Sequence, residues 1–98
     1  MIMENAAVLH PLEVITEREE KLDALDHALQ TLNKQQRLCV ELFYLKRFSY
    51  EQIAAQTGLT LNEVKSNIQN GKRNLKLRLA EQGISLALTL LLWMQQHA

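Results

Sequence analysis

Lys65, Lys72, Arg73, Lys76 and Arg78 all fall between Leu61 and Leu79, opposed there only by Glu63, whereas the stretch from Glu4 to Gln30 holds seven acidic residues against Arg18 and Lys21. The formal net charge of the 98-residue chain is zero. Total charge therefore says nothing about a polyanionic partner, but its segregation does. A short basic segment meets phosphate oxygens by Coulombic attraction and by displacing condensed counterions. Asn62, Ser66 and Gln69 are interleaved with the cations, and such side chains both donate and accept hydrogen bonds, which is what reading a base edge requires. The chemistry on offer is binding of nucleic acid.

Catalytic and metal chemistry are poorly provided for. His10, His27 and His97 are scattered, no Ser or Cys has an evident base partner, and no glycine loop suited to phosphate is present, so no enzyme, metal or cofactor is expected. His27 and Asp23 lie one turn apart on a helix, a spacing that supports the helix as readily as it would a proton transfer. The single Cys39 sits in an apolar stretch and reads as a small core residue. No charged leader precedes an apolar run, so a cytoplasmic location is expected.

These side chains need a scaffold. At 98 residues the chain suits one core. Hydrophobic residues make up 47% of it against three glycines and one proline, which disfavours both disorder and a turn-rich β fold. A small all-α domain is expected. Residues 1–15 contain the one proline, Pro11, and no sustained helical period, and read as a linker or arm. Thr16 with Glu19 has capping-box spacing, and Leu22, Leu25, Leu29 and Leu32 then place an apolar stripe on a first helix ending near Leu32. Asn33 with Gln36 opens a second helix lined by Leu38, Leu42 and Leu45, with Phe43 beside them and Phe48 closing the segment. Ser49 with Gln52 repeats the capping box ahead of a short helix whose inward positions are Ile53 and Ala54, and Gly58 supplies a left-handed stop. Thr60 with Glu63 then opens a long helix.

Advancing about 100° per residue, Val64, Ile68, Gly71, Leu75 and Leu79 stay within about 60° of one direction. Gly71 in that stripe implies close packing, since a mid-helix glycine otherwise costs about 1 kcal/mol relative to alanine. Asn62, Ser66, Gln69 and Arg73 lie roughly opposite, with Lys65, Lys72 and Lys76 along one edge. Two helices joined by Thr57, Gly58, Leu59 and Thr60 have the length and glycine placement of a helix-turn-helix, whose second helix reads base edges with its N-terminal side chains while flanking cations meet phosphates. The same charges would suit an ordinary solvated helix face; the turn weighs towards DNA.

The run RLCVELFYLKRFSYEQIAAQTGLTLNEVKSNIQNGKRNLKLRL resembles region four of bacterial sigma factors, especially the extracytoplasmic-function group, over about Leu22 to Leu79. The FSYEQIA segment, the turn, and VKS followed by a basic stretch carry the likeness. The resemblance implies that Ser49 to Gln56 forms the positioning helix, that the next helix reads the minus-thirty-five promoter element, and that Lys65, Ser66 and Gln69 occupy DNA-contacting positions. It further implies docking of the segment from Leu22 to Leu45 on the β-subunit flap of core RNA polymerase. The stretch before Leu22 is too short for the sigma domain that opens promoters, so this chain alone is not expected to initiate transcription.

Candidate DNA contacts are therefore Asn62, Lys65, Ser66, Gln69, Lys72, Arg73 and Lys76, within a helix-turn-helix domain spanning 16–82. A response-regulator type of helix-turn-helix shares the turn and the VK pair, but the long helix before the motif favours sigma. An interaction module that keeps the fold and engages polymerase or an anti-sigma factor is the other alternative. The remainder, 83–98, is an apolar tail in which Ile84 to Met94 carries no charge. At eleven residues it is too short to span a bilayer. It is read as a helix, which being apolar nearly all round must be buried, although the alternation of Ile84, Leu86, Leu88, Leu90 and Leu92 also permits a strand. Burial on the domain or in a homodimer through 84–94 is expected.

Overall fold

A computed structural model describes residues 17–97, and the expected arm at 1–15 and the cap at Thr16 lie outside them. Five helices and no strand are found among the described residues. Helix α1 is described over 17–30. It ends two residues earlier than its leucine stripe implies, because the last turn tightens: the Thr31 and Leu32 amides donate to the carbonyls of Ala28 and Leu29 at 3.1 Å each. Its inner face combines Leu25 and Leu29 with Ala24 and Ala28, and Leu32 is buried just beyond it.

Helix α2 (Lys34–Tyr44) begins at Asn33, whose side-chain oxygen accepts from the Gln36 amide at 2.8 Å. Its core face differs from the expected one. Leu38 points outward at 46% exposure, and Val40 is buried in its place beside the expected Cys39 and Leu42. The helix is pressed between two neighbours rather than one, so its buried arc is set by where they lie and not by leucine spacing alone. The chain leaves α2 through Arg47, in the left-handed region at φ 57°, which brings the Phe48 amide to the Leu42 carbonyl at 3.1 Å.

Helix α3 (Tyr50–Thr57) and helix α4 (Leu61–Ala80) each start at a complete capping box, at Ser49/Gln52 and Thr60/Glu63. Val64, Ile68, Gly71, Leu75 and Leu79 are all buried on α4, as the periodicity requires. Gly71 is where α2 crosses: a Cβ there would lie 2.9 Å from Val40 Cγ2. After α4, Gly83 at φ 69° turns the chain, with the Gly83 amide on Ala80 O and the Ile84 amide on Leu79 O, both at 3.0 Å. This is the paired 5→2 and 6→1 bonding of a Schellman stop.

The tail is helical: α5 spans Leu86–Gln96. Leu86, Leu90 and Trp93 are buried in the same cluster as Leu25, Leu29, Val40, Leu75 and Leu79. Thr89, fully buried, satisfies its hydroxyl on the Ser85 carbonyl at 2.7 Å. A second cluster holds Cys39, Leu42, Ile53, Val64 and Ile68 beneath the helix-turn-helix. Helix α4 thus serves two cores, its first half with α3 and its second with α1 and α5, and Gly71 lies between them. No described helix is long and apolar enough to cross a membrane.

Candidate nucleic-acid interface

The turn between α3 and α4 is built by three short-range bonds. Gly58 at φ 78° donates to the Ala54 carbonyl at 2.9 Å, and the Thr57 hydroxyl donates to Ile53 O at 2.7 Å while accepting from the Leu59 amide at 3.2 Å. Thr60 then closes the first turn of α4: its hydroxyl accepts from the Glu63 amide at 3.1 Å, and its own amide donates to Glu63 Oε1 at 2.9 Å. The bond from the Thr60 backbone amide, helped by the Thr60 side chain, holds the Glu63 carboxyl below its ordinary range. Below the turn, fully buried Ile53 and Val64 fix the angle between the helices.

Each of Asn62, Lys65, Ser66, Gln69, Lys72, Arg73 and Lys76 is exposed on α4. Asn62, Ser66, Gln69 and Arg73 run down the outermost line of the helix, about 180° from the Val64–Leu79 stripe. The three lysines divide into two environments. Lys65 Nζ stands 5.8 Å from the centre of the Tyr50 ring, which stacks on Phe43 at 5.4 Å. The first residue of α3 thereby steadies a cation near the reading end of α4 by cation–π attraction. Lys72 and Lys76 instead form one wall of a groove between α4 and α5. Arg78 is exposed on the other flank of the helix.

Two participants escape sequence reasoning. Asn70 accepts from Arg73 at 3.4 Å and donates to the Ser66 hydroxyl at 3.3 Å, so the outer line is bridged by weak local bonds that a ligand could replace. The i, i+3 and i, i+4 spacings of these residues would have allowed that pairing to be found. Nothing in the sequence marks Tyr50, since the approach of α3 to Lys65 is a tertiary matter. Cys39 lies beneath this surface, fully buried, with its thiol pushed up by desolvation, which makes it a packing group rather than a nucleophile.

The assembly presents a helix with a rigid, buried inner stripe and an outer face of amide, hydroxyl and cationic groups, braced by a second helix across a three-residue turn. A body of this form has the shape and chemistry that entry of a helix into the major groove of DNA requires. Residues 22–75 match the family described as sigma-70, region 4. No curated protein and no solved structure matches the chain.

Proposed function

We propose, from the premise that the chain belongs to the sigma-70 region 4 family, that α4 reads the minus-thirty-five element of a promoter as part of bacterial transcription initiation. The observation that carries this reading is the polar and cationic outer face of α4 from Asn62 to Lys76 opposite a buried stripe, with α3 set against it as the positioning helix. Asn62, Lys65, Ser66 and Gln69, on the first half of α4, take base edges; Lys72, Arg73 and Lys76, farther along, take phosphates. The likeness of the VKS segment and basic stretch to the extracytoplasmic-function group belongs to the same proposal. The role is one of binding without catalysis, carried out in the cytoplasm where promoters are.

Core RNA polymerase is the protein partner in this reading, through the flap of its β subunit and the segment from Leu22 to Leu45. The inward faces of that segment are already packed in the domain core, so docking there uses its outer surface. A second reading, a module held to polymerase or an anti-sigma factor by apolar contact, draws support from the exposed Leu88 and Leu91 of α5.

Footprinting of promoter DNA with and without core polymerase, repeated over a salt series, separates the two. Protection of the minus-thirty-five region that fades steeply with salt supports promoter reading, since counterions compete for phosphates. Association with polymerase that is indifferent to salt and leaves DNA unprotected would overturn it.

A further inference from the structure

Helix α5 shields the core with one face and leaves another bare. Leu86, Thr89, Leu90 and Trp93 face inward, while Leu88 and Leu91 remain 56% and 51% exposed, followed by exposed Gln95. These three recur at three and four residues and form an uncharged ridge along the outside of the helix. Its two flanks carry opposite charge. On one side Ala87, Leu90, Leu91 and Met94 face Lys72 and Lys76 of α4 across a groove of about 580 Å³. On the other, Leu92, Trp93 and Gln96 border α1 at Glu19, Glu20, Asp23 and Asp26, with Arg18 beside them.

An apolar ridge with a cationic strip on one flank and an anionic strip on the other is complementary to itself under only one of the two simple two-fold arrangements. A two-fold axis perpendicular to α5 pairs the helices antiparallel and sets each strip against its own kind, acid on acid. An axis along α5 pairs them parallel and sets the carboxylates of α1 against Lys72 and Lys76 of the other copy. We infer that the occupant of the groove is a second copy of this chain, paired in parallel through the α5 ridge. The ridge leucines lose their contact with water, and the flanking charges select the orientation rather than supply most of the affinity. Lys72 and Lys76 are covered in the pair, so pairing competes with the phosphate contacts proposed for them. That competition rests on the promoter reading; the pairing does not.

Sedimentation of the intact chain, without DNA, tests the pairing independently of any promoter. A concentration-dependent dimer is expected. Leu88→Glu or Leu91→Glu should raise its dissociation constant by at least about tenfold, because a carboxylate would be buried at the contact, while helical signal and thermal midpoint of the monomer stay unchanged. A Gln95→Cys chain under mild oxidation should give a disulfide-linked dimer, since a parallel pair brings each ridge residue beside its own counterpart within disulfide reach. A chain that stays monomeric at high concentration, or a dimer indifferent to both glutamate substitutions, overturns the proposal. So does a dimer in which Gln95→Cys fails to cross-link to itself and links instead to a Leu88→Cys chain. Weak promoter binding by a chain that pairs as described would count against the promoter reading alone.

Discussion

Gly71 and Glu63 show how single residues set the form of α4. A methyl group at 71 gains about 1 kcal/mol of helix propensity, but it would stand 2.9 Å from the branched, fully buried Val40, and overpacking of that kind typically costs 1 to 3 kcal/mol. Gly71→Ala is expected to lower stability by about 1 kcal/mol in urea unfolding, and a Gly71→Ala/Val40→Ala chain to lose less than the sum of the two single changes. Additive losses would mean that the contact with Val40 is not the cause. Glu63 acts through charge. Its folded-state carboxyl lies below its unfolded value because Thr60 bonds the ionised form, so the stabilisation is complete above the unfolded value and lost as pH falls through the folded one. Glu63→Gln keeps an oxygen for the Thr60 amide and should remove that part of the acid-side loss, seen as a flatter difference curve of thermal midpoint against pH. On the outer line, Gln69→Ala should cost about 1 to 3 kcal/mol on the preferred promoter site alone, whereas Arg73→Ala should weaken all sequences alike. Competition binding with a scrambled site distinguishes them, and equal losses on both DNAs for both variants would undo the assignment.

At the scale of elements, the tail helix decides how much of the chain is one cooperative body. Leu90 is buried and Leu88 is exposed only two residues earlier. Leu90→Ala should therefore cost about 2 to 5 kcal/mol, and Leu88→Ala less than about 0.5 kcal/mol of monomer stability. Denaturant unfolding at low concentration reads both; similar costs would mean that α5 does not sit on α1 and α4 as described. The exit from α2 is a second local matter. Arg47 adopts a left-handed backbone that a side chain makes unfavourable by roughly 1 kcal/mol, and it is held there by half-buried Phe48, packed in the cluster under the helix-turn-helix.

Over the whole molecule, zero net charge coexists with an acidic α1 at one end and a basic edge on α4. Lys65, Lys72, Arg73 and Lys76 are the exposed cations on the outer side of the reading helix, and each phosphate contact contributes a slope of about 0.9 in log affinity against log salt. Replacing Lys72 and Lys76 together by alanine should reduce the slope for promoter binding by about 2, with the order of preference among sequences retained. An unchanged slope would place these lysines outside the DNA contact.

The sequence by itself determined the first four helices, the two capping boxes, the left-handed Gly58 and the inner stripe of α4, because each rests on interactions within about four residues along the chain. The polar face of α4 follows from the same 3.6-residue period. It also exposed Gly71 as a site of close approach without saying what approaches. Tertiary structure alone decided that Leu38 faces out while Val40 takes the core, because α2 is flanked by two packing partners whose positions no local period encodes. The tail shows the same limit: Ile84, Leu86, Leu88, Leu90 and Leu92 alternate in a way that suits a strand, and an uncharged stretch offers no polar residues to mark a face. Only contact with α1 and the second half of α4 made it a helix that buries Leu86, Leu90 and Trp93 and leaves Leu88 and Leu91 in water.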